Sequence, residues 1–180
     1  MKLLLVDRRT PGAGSAPWNG APADWPALLG PVVDGLGVRD WTVNLVLVGD
    51  QAMTDLNRTY RGGADVTDVL SFSYLDREGS GPPDLTAGER GAAGDLWSSA
   101  TGGSGEDPVG EVVIAPAFVA ARCAAEGWDP GAEFNLLVVH GCLHVLGWEH
   151  DDPARRTAMQ TLEADRLALL GLPHPLLERS

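Results

Sequence analysis

The sequence predicts an α+β fold: a single domain with a small mixed, roughly four-stranded sheet packed by helices. Three observations lead there. Short β-branched runs are interleaved with segments of helical spacing. The longer helical segments carry recognisable start and stop residues. The chain has 180 residues, 44% of them hydrophobic and 21% charged, which suits one domain with a real core. No apolar run approaches the ~18 residues that a membrane-crossing helix needs.

Taken in order, Lys2–Val6 reads as a strand, cut off by Asp7 and too short for the apolar region of a signal peptide. Pro11 to Ala23, rich in Pro, Gly and Ala, reads as a loop. Asp24–Leu36 places Trp25, Leu28, Leu29, Val32, Val33 and Leu36 at helical spacing, with a kink expected at Gly30-Pro31. Trp41–Val48 is the clearest strand, closed by Gly49. Asp50 is expected to cap a helix over Gln51–Tyr60 with Met53, Leu56 and Tyr60 on its inner face. Asp68–Tyr74 and Gly110–Ile114 read as the third and fourth strands, flanking a Gly-, Ser- and Pro-rich insertion over Asp76–Pro108. Pro116 opens a helix closed by Gly127, and Asp129-Pro130 opens a long apolar helix to Leu146 with Gly147 beyond it. Asp152-Pro153 repeats that start signal for a last helix ending near Gly171.

Net charge is −12, from 25 acidic and 13 basic residues, and Lys2 is the only lysine. This weighs against a protein that coats nucleic acid, whose phosphates repel an acidic surface. The insertion near residues 76–108 carries net −5 of it and is expected to be a flexible acidic elaboration of one domain spanning 1–180. Two cysteines, Cys123 and Cys142, make no disulfide framework, so a reducing, cytoplasmic setting is expected.

Three of the four histidines fall in His140-Gly-Cys-Leu-His144-Val-Leu-Gly-Trp-Glu-His150. Residues four apart on a helix share a face, so His140 and His144 can present imidazoles to one ion. Gly147 permits a left-handed residue after the helix, and the resulting turn can bring His150 round as a third ligand. Three neutral imidazoles with an open fourth position suit a catalytic Zn2+, one ion per chain, although imidazole also suits other borderline metals. Cys142 falls on the opposite side of that helix, as a core residue. His174, between two prolines in a tail, is assigned no role.

The spacing H-x-x-x-H-x-x-G-x-x-H is that of a metzincin-like metal helix, but the metalloproteases of that group carry Glu at the second position as general base. Here it is Gly141. Peptide hydrolysis is disfavoured accordingly.

A second cluster is Asp55-Leu-Asn57-Arg-Thr-Tyr60-Arg61, followed by Thr67-Asp68-Val69-Leu70-Ser71-Phe72. Together with the histidine motif, with Gly110-x-Val112-Val113-Ile114-Ala115-Pro116, and with Met159 and Glu163, it resembles the YbeY family of bacterial rRNA maturation factors and endoribonucleases. The resemblance covers roughly Val43 to Leu172. It implies a cytoplasmic, single-strand-specific, zinc-dependent endoribonuclease acting in small-subunit rRNA 3′-end maturation and ribosome assembly. It carries the metal ligands to His140, His144 and His150 and the functional arginine to Arg61. The implied partners are rRNA, pre-ribosomal particles and ribosomal proteins, with no membrane and no DNA.

Bottom-up chemistry agrees. A guanidinium can grip a phosphate with paired hydrogen bonds, and phosphodiester cleavage needs positive charge where the transition state gathers negative charge. Alone, Arg61 reads as a solvated cation at a helix C-terminus. Three departures from the family pattern stand out. Gly110-Glu111 replaces the usual Gly-Asp; if that carboxylate orients a ligand histidine, the extra methylene changes its reach. Gly62-Gly63-Ala64-Asp65-Val66 replaces the usual basic and Pro residues, and Trp148-Glu149 replaces Tyr-Asp. Glu149 is a proton-acceptor candidate or a solvated turn residue. Two other readings stay open: a non-catalytic ribosome-assembly binding factor with a structural metal, favoured by the negative charge, and a metallohydrolase of another class such as a peptidase.

Overall fold

The run Thr42–Leu47 is buried at all six positions, as an inner strand covered on both faces requires. In the computed structural model, residues 2–9, 42–74 and 108–178 are described. Over these the chain runs β1 (Lys2–Asp7), β2 (Thr42–Leu47), α1 (Asp50–Arg61), β3 (Val69–Ser73), β4 (Gly110–Ile114), α2 (Pro116–Glu126), α3 (Pro130–Val145), α4 (Pro153–Ala168) and the single turn α5 (Pro175–Glu178). The helix expected over Asp24–Leu36 and the insertion over Asp76–Pro108, as far as Asp107, lie outside the described residues.

One sheet has the order β1-β2-β4-β3. β1 and β4 flank β2 in parallel, and β3 pairs antiparallel with β4. The architecture is therefore α+β with a four-stranded mixed sheet, as the sequence predicts.

Strand alternation assigns the two faces. Val43, Leu45, Leu47, Val112 and Ile114 pack with Val119 and Cys123 of α2 and with Phe134, Leu137, Val138, Cys142 and Val145 of α3. On the opposite face Val46, Leu70, Phe72 and Val113 pack with Met53 and Leu56 of α1. A third cluster joins Leu136, Val139 and Leu143 of α3 to Met159 and Leu167 of α4. α3 thus has apolar neighbours on two sides, which is why its sequence is apolar nearly all round. Cys142 lies in the core, as expected.

The cap signals hold at two helices and fail at one. Asp129 accepts from the Ala132 amide (2.6 Å) and Asp152 from the Arg155 amide (2.9 Å), each covering an orphan donor. Asp50, expected as the cap of α1, is its first residue. Gly49 takes the cap position without a side-chain bond, and Asp50 contributes charge in the first turn instead.

Glu111 is placed differently from the sequence expectation. It alternates with Gly110 and Val112, so it points to the face away from α3 and cannot orient a histidine there. It is buried and accepts from Asn44 Nδ2 (3.1 Å), its register neighbour on β2, while Asn44 Oδ1 is buried with no partner among the described residues. Burial pushes the carboxyl above its ordinary 4.5, against the lowering pull of Asn44, Tyr74 and the Arg8 charge; Tyr60 lies beyond Tyr74. A protonated Glu111 could also donate to the orphaned Asn44 oxygen. Stability from this group is present below about pH 4.5 and is lost as pH rises through the raised folded value. Glu111→Gln keeps the acceptor and supplies a permanent donor. The variant is expected to show a higher urea midpoint than the native chain near pH 7 and an equal one near pH 4. A lower midpoint for the variant near pH 7 would contradict this reading.

Candidate metal centre and catalytic cleft

α3 ends beside the sheet edge, and its ending builds the site. The Gly147 amide donates to the His144 carbonyl (2.9 Å) and the Trp148 amide to the Leu143 carbonyl (2.9 Å), a Schellman stop. It requires a left-handed residue, and Gly147 has φ of 94°. The chain then turns back and brings His150 over His140 and His144.

One ligating atom from each of His140, His144 and His150 lies within 4.8 Å of the other two. Nε2 of His140 and Nε2 of His144 are 3.1 Å apart, and the His150 ring stands 5.5 and 5.0 Å from the rings of His140 and His144. The first two imidazoles are half-buried and the third is exposed. Burial, and then the neighbouring His140, push His144 down to about 4, against a raising effect of Glu149, whose Oε2 lies 3.9 Å from His144 Nδ1. His144 is therefore neutral near pH 7, with a lone pair available. Nitrogen lone pairs brought this close repel unless a proton or a cation lies between them, so the donor set fits a borderline divalent ion.

Behind His140 stands Glu163, one of the residues that carry the family resemblance, in a place that the sequence did not give it. Glu163 of α4 accepts from His140 Nδ1 at 2.8 Å through Oε1 and from His174 Nε2 at 3.0 Å through Oε2. Glu163 is 2% exposed and His174 5%. His174, assigned no role from the sequence, is instead buried against Glu163. Glu163, and not Glu111, is the carboxylate hydrogen-bonded to a histidine of the cluster.

The histidines open into a cleft of about 510 Å³ whose far wall carries Arg61 and Asn57 of α1 and whose floor is β3. Gly62 (φ 70°) ends α1 immediately after Arg61, and Asn57 Nδ2 donates to the Asp65 carbonyl (2.8 Å), tying down the loop that follows. The glycines in place of the family's basic and Pro residues thus serve as a helix stop. Asp68 is an anchor: Oδ1 accepts from the Val69 amide (2.9 Å) and Oδ2 from Arg122 (2.6 Å), which also pairs with buried Glu133 of α3 (2.7 Å). This clamp fixes the start of β3 against α3. Ser73 Oγ donates to the Val145 carbonyl (2.8 Å) and fixes its other end. Glu149 faces the cleft, half-exposed.

Gly141 lies against the sheet. A Cβ built on it would stand 2.5 Å from Val112 Cγ1, 2.9 Å from Cγ2 and 3.1 Å from Ser71 Oγ. The position that holds the base in metzincins here points at Val112 of β4 and Ser71 of β3, with no space for a side chain. Among the described residues no helix is long and apolar enough to cross a membrane.

An i, i+4 histidine pair on a buried helix and a third histidine on a glycine turn form a set that could hold a metal ion, the arrangement of a metal-site domain whose motif lacks the glutamate base, with Arg61 lining the same cleft. The comparisons with known proteins name the family. The family model described as Endoribonuclease YbeY matches residues 31–171, and the chain belongs to that family. The Endoribonuclease YbeY of Symbiobacterium thermophilum is 37% identical over 138 residues, 77% of this chain and 76% of that protein. Its namesake in Halorhodospira halophila is 38% identical over 154 residues, 85% of each chain. The solution structure of TM1509 from Thermotoga maritima aligns over 93% of this chain and 91% of its own, at 19% identity and a TM-score of 0.47.

Proposed function

We propose that the chain is a zinc-dependent, single-strand-specific endoribonuclease of rRNA, acting in the cytoplasm in small-subunit 3′-end maturation and ribosome assembly. His140, His144 and His150 are its metal ligands and Arg61 its phosphate-binding catalytic residue. The observation that carries this reading is the shared cleft: the three imidazoles and the one guanidinium line the same space, and family membership supplies the reaction. A bound zinc would supply positive charge at the phosphate and a water of lowered pKa. Arg61 grips non-bridging phosphate oxygens and meets the charge that accumulates on them in the transition state. It also draws a polyanion toward a chain of net −12. Glu149, beside His144 at the rim, is the candidate proton acceptor for the attacking oxygen. A single strand suits a cleft floored by an edge strand, because its sugar–phosphate backbone can bend into it.

The test is cleavage of a precursor rRNA fragment with and without chelator, in the native chain and in Arg61→Ala and Arg61→Lys. Arg61→Ala is expected to lower kcat/KM by about 10²–10³-fold with an unchanged circular dichroism spectrum. Arg61→Lys should recover only part of this, because an ammonium lacks the planar fork. Native-like rates in both variants, or cleavage indifferent to chelator, would overturn the proposal. The acidic composition favours one second reading, a non-catalytic ribosome-assembly factor with a structural metal. That reading requires binding to pre-ribosomal particles with no turnover by the native chain.

A further inference from the structure

We propose that Glu163 and His174 are positioning residues of the metal centre: the carboxylate, held from behind by the His174 imidazole, fixes which nitrogen of His140 faces the ion. The inference rests on the reading of His140 as a ligand and goes beyond it.

An ionised carboxylate only accepts hydrogen bonds, and both oxygens of Glu163 are engaged by imidazole nitrogens, at 2.8 and 3.0 Å. His140 therefore carries its proton on Nδ1, which leaves the Nε2 lone pair aimed at Nε2 of His144, 3.1 Å away. Free of this contact, the ring could hold its proton on Nε2 or turn about its χ2 bond, and each alternative removes the lone pair from the centre.

His174 does the same for the carboxylate. Its Nε2–H engages Oε2, so the carboxyl plane is set at both oxygens and cannot swing away from His140. The burial of His174 argues that this contact is the reason for its presence. Its Nδ1 is buried with no hydrogen-bond partner among the described residues, a situation that a space-filling Leu or Phe would avoid. The fold accepts an orphaned acceptor to place one N–H on Glu163. Three separate segments, α3, α4 and the stretch between Pro173 and Pro175, thus meet in a His–carboxylate–His chain. Docking of the segment 173–178 becomes part of metal affinity.

The experiment is zinc titration of the full chain against a chromogenic chelator, with urea unfolding of each metal-free variant as the control for folding. Glu163→Gln keeps the volume but presents at most one acceptor oxygen; zinc affinity is expected to fall about 10- to 100-fold. His174→Phe fills the space without the donor and is expected to cost about fivefold, the value of one hydrogen bond. The double variant Glu163→Gln with His174→Phe should bind no more weakly than Glu163→Gln alone, since the second group acts through the first. His174→Gln, whose amide can donate from nearly the same place, should restore affinity to within about twofold of the native chain. It also serves as the variant of choice if His174→Phe does not fold.

A merely structural role would lower the metal-free urea midpoints and leave zinc affinity unmoved. Folded Glu163→Gln and His174→Phe proteins with native zinc affinity would overturn the proposal, as would fully additive losses or failure of a folded His174→Gln to rescue. If the native chain itself binds no zinc, it is the metal centre that fails, a result distinct from native binding with unmoved variants.

Discussion

His144→Ala is expected to leave a folded chain that neither gains stability from zinc nor cleaves single-stranded RNA. His144 is the middle member of the donor set: its Nε2 is 3.1 Å from that of His140, and its ring is 5.0 Å from that of His150. The side chain is only half-buried, so truncation leaves a small cavity and the apo fold survives. With zinc about 100-fold above its dissociation constant, the native chain should gain about 2.7 kcal/mol, which raises Tm by about 5–10 °C for a chain of this size. In His144→Ala that shift should vanish. Cleavage should fall by about 10³-fold or more, since several kcal/mol of transition-state charge stabilisation leave with the ion. Differential scanning calorimetry with and without zinc reads the first effect and single-turnover cleavage the second. A nuclease-free His144→Ala preparation that cuts at the native rate would remove the centre from the reaction. An undiminished zinc shift would remove His144 from the donor set.

Local signals were legible in the sequence, and contacts made across the fold were not. The i, i+4 spacing of His140 and His144, the stop at Gly147 and the caps Asp129 and Asp152 depend on helix geometry within a few residues, and each is found where local geometry demands it. β2 was readable because a strand buried on both faces is largely β-branched and apolar, here at all but Thr42 and Asn44. Glu163 and His174 could not be paired from sequence. They lie 11 residues apart, on a helix and on a proline-flanked stretch whose composition reads as loop, and their meeting depends on how α4 packs on α3. The face that Glu111 takes was legible as well. Gly110 and Val112 must share one face of β4 for α3 to approach, so parity alone sends Glu111 to the other. Arg61 was legible as a helix-end cation, but the cleft it faces is formed by α3 and the turn after it, which no local pattern connects to α1.

Gly141→Glu, which writes the metzincin base into the motif, is expected to destabilise the domain severely and to create no peptidase. In a helix interior, replacing Gly by Ala alone would gain about 1 kcal/mol of propensity. At this position the new Cβ meets both Val112 methyl carbons at 2.5 and 2.9 Å. Val112 is fully buried on β4, and its branched side chain has few rotamers to retreat into. Overpacking of this kind costs about 1–3 kcal/mol, so Gly141→Ala should already lower Tm. A glutamate adds four more heavy atoms, a methylene and a carboxylate, directed at the sheet. Burying that charge unpaired costs about 3–5 kcal/mol more, a large share of the about 5–15 kcal/mol that holds a domain together. The expected order of Tm is native, then Gly141→Ala, then Gly141→Glu, with no peptide-library cleavage by any of them. A Gly141→Glu protein as stable as the native chain would show that α3 does not sit this close to β4. Close approach of α3 to the sheet holds the histidines over β3 opposite Arg61, and that same approach leaves no space for a base at position 141.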